Sequence, residues 1–266
     1  MCIRDRAGVV LAVGERVKHV SVGDAVIGFV AHGGLAEQVI LPAKACFPKP
    51  APMDFPVAAS FMMAYGTAYH ALKDRGNLQA GETLLVLGAS GGVGLAAVEL
   101  GKRIGAKVIA AASTGEKLEL CRKYGADHLL NYNEADLKSA LKDLTGGKGV
   151  DVVLDPVGGA YAEPAFRAMA WEGRYLIVGF AAGTIPSIPL NLPLLKGASL
   201  VGVFWGQFAM TQPKQIMQNT RELMTWYAEG KLSPHIDKIF PLEEAPTAIE
   251  TLLNRKVKGK VVVQMT

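Results

Sequence analysis

Little in this chain points to a metal, a membrane or an exported protein. It has three cysteines in 266 residues, Cys2, Cys46 and Cys121, and no CxxC. Isolated thiols supply neither a disulfide framework nor zinc-ligand spacing, so they read as reduced and non-ligating. No apolar run reaches the roughly 18 residues of a membrane span. The opening MCIRDR has no apolar stretch of the signal-peptide kind. Charge of one sign is not in excess: 28 Lys and Arg stand against 24 Asp and Glu, and the basic residues are scattered. That argues against a basic groove for nucleic acid and suits a mildly basic cytoplasmic enzyme binding an anionic cofactor. Also missing are a Ser-His-Asp set, a Cys-His pair and a pair of carboxylates.

Glycine is plentiful, and it says most within residues 82–94, ETLLVLGASGGVG. A short apolar run at 84–87 has the length and branching of a buried parallel strand. Gly88, Gly91, Gly92 and Gly94 follow, and then LAAVELGKRIGA, an amphipathic helix. Strand, glycine-rich turn and helix together form the context of a dinucleotide-binding turn. Small residues let backbone N–H groups approach a pyrophosphate, and the helix N-terminus favours its charge. In the GxGxxG register Gly91 and Gly94 hold the second and third positions, but Ala89 holds the first. Alanine does not take a positive φ cheaply, so a turn somewhat unlike the commonest one is expected.

One further absence bears on the choice of cofactor. An NAD-binding unit places a carboxylate at the end of its second strand, about 20 residues after the glycines, to accept the ribose hydroxyls. Here that strand ends AAASTGEK, which offers Ser113, Thr114 and, one helical turn on, Lys117. Nothing acidic stands at the strand end, and Glu116 falls within the next helix. Such a set suits a 2′-phosphate, hence NADPH.

The remainder of the chain places this unit. Residues 7–15, 22–30 and 35–41 read as strands joined by tight turns, a barrel-like β piece. Residues 42–56 are proline-rich and loop-like, and 57–72 read as helix. Strands at 84–87, Lys107–Ala112, His128–Asn131, Val150–Asp155, 174–178 and 200–204 then alternate with helices that include 115–124, 134–144 and 161–171. This alternation predicts a doubly wound parallel sheet. A long helix at 213–230 leads to a strand at 236–240, a helix at 242–253 and a strand at Lys260–Gln264. That tail lies outside the alternation and can rejoin the β-rich piece. The expected class is α/β, a Rossmann sheet with a partial β-rich domain, divided at 1–60, 61–207 and 208–266.

GDAVIGFVAHGGLAEQV, AYGTAYHAL, GASGGVG, GADHLLNY, GVDVVLDPVGG, VGF and the closing GKVVV together resemble the zinc-independent quinone oxidoreductases of the medium-chain dehydrogenase superfamily. The resemblance runs from Ala7 to about Gln264. It implies a GroES-like catalytic domain beside the Rossmann domain, with no cysteine-rich metal lobe, since Gly23 runs on through 31–34 to LAEQV. His32 could ligate by residue type, but a loop histidine is the simpler reading. Met1 to Arg6 depart from the family pattern. Ala7 falls well inside the family's catalytic domain, so its first strands are expected to be missing.

The resemblance also implies contacts. Tyr65 and Thr67 line the nicotinamide pocket, and Ala89, Ser90, Gly91, Gly92 and Val93 hold the pyrophosphate. Ser113, Lys117 and Tyr132 surround the adenosine phosphate. Backbone at Gly179, Phe180 and Ala181 and at Phe204 and Trp205 passes along the cofactor. Tyr132 reads equally as a surface aromatic, and Phe204 and Trp205 as sheet-edge core; His70 reads as structural. Hydride transfer needs no catalytic triad, because the cofactor carries the chemistry and the protein sets distance and orientation. Tyr65 is the candidate proton donor. The implied activity is reduction of a quinone or enone by NADPH, in a homodimer. An enoyl thioester reductase and a non-catalytic NADP-binding protein are the alternatives.

Overall fold

The computed structural model describes residues 5–29 and 32–265. Cys2, most of the divergent start, Val30 at the end of an expected strand and Ala31 of the 31–34 stretch lie outside them. The chain divides into two compact units, Thr67–Asn219 and a unit combining the residues before and after it. These boundaries fall at Gly66 and Asn219, later than the 60 and 207 read from the sequence.

In the first unit, β1 (Asp5–Val9), β2 (Ala25–Phe29) and β3 (Cys46–Pro48) form an antiparallel sheet in that order. Arg6 stands opposite Gly28, whose missing side chain makes room for Leu41, since a Cβ there would lie 2.3 Å from Leu41 Cδ1. Residues 35–41, expected as a strand, are not one. β1 and β3 already occupy both edges of β2, and Ile40 is 97% exposed. The proline-rich stretch instead supplies β3, where Pro48 is tolerated on an edge strand. Asp54 caps the following helix, Phe55–Phe61, by accepting the Val57 N–H at 2.7 Å. That helix runs on as a π-helical stretch, Met62–Gly66.

The second unit is built on six parallel strands. They are β4 (Thr83–Leu87), β5 (Lys107–Ala112), β6 (His128–Asn131), β7 (Val150–Asp155), β8 (Met169–Ile177) and β9 (Ser199–Gly202). Their spatial order is β6-β5-β4-β7-β8-β9, the doubly wound arrangement. Every residue of β7 is buried, and Leu85, Ile109, Val153 and Phe166 belong to one core cluster.

Two expectations fail here. The helix expected over 161–171 stops at Arg167, and Trp171 lies in β8. Pairing between β7 and β8 jumps from Val150–Met169 to Val152–Arg174 around Glu172, whose φ is +57°. That irregularity lengthens β8 towards its start. At the other end β9 stops at Gly202, so Phe204 leaves the sheet and Trp205 opens a short helix, Trp205–Thr211.

The helix Pro213–Ala228 spans the division at Asn219, and the tail from Thr220 onwards belongs to the first unit. There β10 (Ile236–Pro241) and β11 (Lys260–Gln264) pair in parallel as a sheet of their own.

Candidate cofactor site

Because the six strands of the second unit are parallel, their C-terminal ends share one edge, and strand order reverses between β4 and β7. Open α/β sheets offer a crevice at such a reversal. β4 delivers the glycine turn to it. The positive φ falls on Gly88, at +58°, so Ala89 never has to adopt one. The left-handed residue of this turn thus stands one position before Ala89. A Cβ on Gly88 would stand 2.7 Å from Val157 Cγ2 of the loop after β7, so glycine is needed there twice over.

Gly91 is the extended N-cap of the helix Gly92–Ile104, with φ −79° and ψ 170° and no capping side chain. Its N–H bonds to Gly88 O at 3.0 Å, and its carbonyl accepts the Leu95 N–H at 2.7 Å. The donors of the first turn before Leu95 lie outside the helical ladder, as at any helix start. A Cβ on Gly94 would lie 2.3 Å from Gly88 O, so the helix presses directly on the turn. Ala89 and Ser90 are buried, and Gly92 and Val93 open the helix. An anion fits this end of the helix, with backbone donors, no competing side-chain cap and the positive end of the dipole.

β5 and β6 assemble the second part. After Ala112, Ser113 leads to Thr114, which caps the helix Gly115–Lys123. Lys117 Nζ reaches Ser113 Oγ at 3.5 Å. Asn133, unnoticed in the sequence, donates Nδ2 to the Ser113 carbonyl at 3.0 Å. Its Oδ1 accepts the Tyr161 hydroxyl at 3.4 Å, and the Tyr161 ring lies 4.3 Å from that of Tyr132. The structure thus brings Ser113, Lys117 and Tyr132 together and adds Asn133 and Tyr161. The one signal for Asn133 was a carboxamide just past a parallel strand end. Glu116 is exposed in the first turn of its helix.

β7 ends in Asp155, a buried carboxylate that sequence reasoning also passed over. Its Oδ1 accepts N–H groups of Val157 at 2.7 Å and Gly158 at 2.8 Å, and its Oδ2 accepts the Tyr175 hydroxyl at 2.6 Å. Burial, and then the Asp155 charge, push the Tyr175 phenol far above its ordinary value, so it stays a donor. The Asp155 carbonyl accepts from Val178 and Gly179, and Ala181 N–H reaches Pro156 O at 3.1 Å. Asp155 therefore fastens the loop after β7 to the one carrying Gly179, Phe180 and Ala181. Beyond β9, Phe204 is 68% exposed while Trp205 is 5% exposed, so the Trp205 side chain is core.

Thr67 is buried in this unit, whereas Tyr65 belongs to the first, 4% exposed with its ring stacked 4.6 Å from Phe61. His70 is buried against Phe208, with Nδ1 2.7 Å from Asp74 Oδ2, which also accepts from Asn219. Among the described residues no cluster of three His, Cys, Asp or Glu is placed to hold a metal. None of the described helices is long and apolar enough to cross a membrane.

A family model described as zinc-binding dehydrogenase matches residues 92–225. A quinone oxidoreductase-like protein 2 from Bos taurus is 40% identical over 260 residues, covering 97% of this chain and 74% of that protein. This chain belongs to the quinone oxidoreductase-like proteins of the medium-chain dehydrogenase/reductase superfamily. The superfamily's fold is the one described above. A crystal structure of Escherichia coli quinone oxidoreductase complexed with NADPH is similar at TM-score 0.91 and 29% identity, over 98% of this chain and 81% of that one. The CurK enoyl reductase is similar at TM-score 0.89 and 31% identity, over 99% and 78%. An oxidoreductase of this superfamily using a nicotinamide cofactor is the coarse function.

Proposed function

We propose that this chain transfers hydride from NADPH to a quinone or an α,β-unsaturated carbonyl. The observation that carries the cofactor choice is the end of β5. Ser113 and Lys117 stand 3.5 Å apart there, where an NAD-binding unit would hold a carboxylate. In this reading the turn Gly88 to Gly94 holds the pyrophosphate and Ser113 with Lys117 holds the 2′-phosphate. Asn133 fixes Ser113 through its carbonyl. When bound, the nicotinamide supplies a hydride to carbon. The oxyanion that forms takes a proton from water or from Tyr65, and no metal takes part. The likeness to the CurK enoyl reductase supports a second reading, an enoyl thioester as acceptor.

A charge-assisted bond from lysine to phosphate is worth about 1.5–3 kcal/mol. The helix N-terminus adds a few tenths to about 1 kcal/mol. Together they favour NADPH by tens to hundreds-fold, since about 1.4 kcal/mol is tenfold. Lys117→Ala is expected to weaken NADPH by at least tenfold while leaving NADH nearly unchanged. Ser113→Asp should reverse the preference. Fluorescence titration of both cofactors measures this, and equal affinity in the wild type would refute the reading of this strand end. Stopped-flow oxidation of NADPH with quinone, enone and enoyl thioester panels then sorts the acceptor. A non-catalytic binder gives cofactor fluorescence and no acceptor-dependent decay.

A further inference from the structure

The second unit carries a cavity of about 360 Å³ that none of the residues assigned to the cofactor lines. Its walls come from the start of the helix Leu137–Leu144, from the helix Ala162–Arg167 with Gly159 before it, and from Pro186 and Ser187. Gly159 N–H donates to the Thr184 carbonyl at 3.1 Å, which pins the loop carrying Ser187 beside that second helix. The lining is balanced in charge, Lys138 and Arg167 against Asp136 and Glu163. Three of these four are engaged. Arg167 donates Nε and Nη2 to Glu163 Oε1 at 2.8 and 2.6 Å. Asp136 caps its helix by accepting the Ser139 N–H at 2.8 Å. Its carboxyl is held below the ordinary range first by Ser139 and only last by Lys138. Lys138 itself makes no hydrogen bond or ion pair among the described residues. It also stands in the first turn of its helix, where the dipole disfavours a cation.

Two more lysines add to the positive field. Lys142 follows Lys138 by four positions on the same helix, a spacing at which like charges repel. Lys196 ends the helix Asn191–Lys196 and donates Nζ to the Met169 carbonyl at 2.7 Å. Burial, and then the charges of Lys142 and Lys138, hold its ammonium below the ordinary value. An anion beside Lys138 would relieve this repulsion. A doubly charged phosphate gains about twice what a carboxylate gains in the same field. We propose that the cavity is a second anion site, which takes a small organic phosphate on Lys138 and the Ser187 hydroxyl. Its volume suits such a ligand better than a bare ion. Binding here needs neither NADPH nor an acceptor, so it is independent of the proposed reduction.

The test titrates inorganic phosphate and ribose 5-phosphate into the full chain, with backbone amide signals followed by NMR. Both probes should shift the Gly159 and Ala160 signals, with and without NADPH, and ribose 5-phosphate should bind more tightly. The response should survive about 0.15 M sodium chloride. The glycine turn can also take phosphate, so variants locate the site. Lys138→Ala should weaken binding read at Gly159 and Ala160 by about tenfold or more, and Lys142→Ala by about threefold. Lys117→Ala and Gly91→Ala should leave it within about twofold, since sites that share no partner act independently. Lys138 is exposed, so Lys138→Ala should melt as the wild type does. No shift at Gly159 and Ala160, or a response there that Lys138→Ala leaves unchanged, overturns the second site. So does a response to both probes that the salt abolishes, the mark of diffuse attraction to surface lysines.

Discussion

Gly91 and Gly94 sit in one motif yet do different work, and single methyl groups separate them. A Cβ on Gly94 would lie 2.3 Å from Gly88 O and 2.8 Å from Ala89 Cα, both backbone atoms that cannot turn aside. Gly94→Ala is therefore expected to destabilise the second unit by about 1–3 kcal/mol, the usual cost of overpacking. A Cβ on Gly91 would meet only Gly88 O, at 3.3 Å, and its φ of −79° suits alanine. Gly91→Ala should thus melt close to wild type while losing NADPH affinity, because the methyl narrows the approach of the pyrophosphate. Thermal melts and cofactor titrations on both variants measure the split. Equal melting losses would mean that both glycines serve packing alone. The glycine motif was legible in the sequence because its chemistry is the absence of side chains at fixed spacing. Asp155 was not, since a buried carboxylate at a strand end looks like any other aspartate until its two N–H partners and Tyr175 are in place.

At the scale of elements, β5, β6, β7 and β11 end where the sequence placed them, because each is a short branched or apolar run bounded by turn residues. The failures come where partners decide. Residues 35–41 have a strand's composition and no ladder to join, while the three residues of β3 have a poor composition and an open edge of β2. Asp5 is a further case, joining β1 to a helix through one N–H that no local pattern announces. It also carries a pH signature. Its acid is raised from 3.8 to about 6, first by burial, so the neutral form is the better buried one. The stability that it contributes is fully present below about pH 4 and is lost as pH rises through about 6. Relative to Asp5→Asn, the wild type should therefore lose about 1–3 kcal/mol in urea unfolding between pH 4 and pH 7.5. A difference between the two proteins that does not vary with pH would show that Asp5 keeps its ordinary acidity.

For the whole molecule, the informative feature is where the six-stranded sheet stops. β9 has β8 on one side and no strand beyond it among the described residues. Leu190, Leu194, Leu195 and Leu200 are exposed on or just before this strand, and the exposed Trp171 lies over Gly197. An open edge bordered by apolar side chains invites another strand, and natural proteins usually blunt such edges with charge or cover. Ser199–Gly202 carries no charge. A second copy offers the same edge, and pairing about a two-fold axis would satisfy both ladders at once and close the assembly at two. We propose that the homodimer implied by the family resemblance would form on this edge of the second unit. Light scattering on the purified chain at tens of micromolar should give the mass of two copies. Leu200→Lys places a charge on the edge and should give one copy, with an unchanged circular dichroism spectrum. NADPH affinity should hold in that variant, because the glycine turn, Ser113 and Lys117 all lie within one chain's second unit. A wild type that is monomeric at this concentration, or a Leu200→Lys variant that stays dimeric, would show that the association, if any, uses another surface.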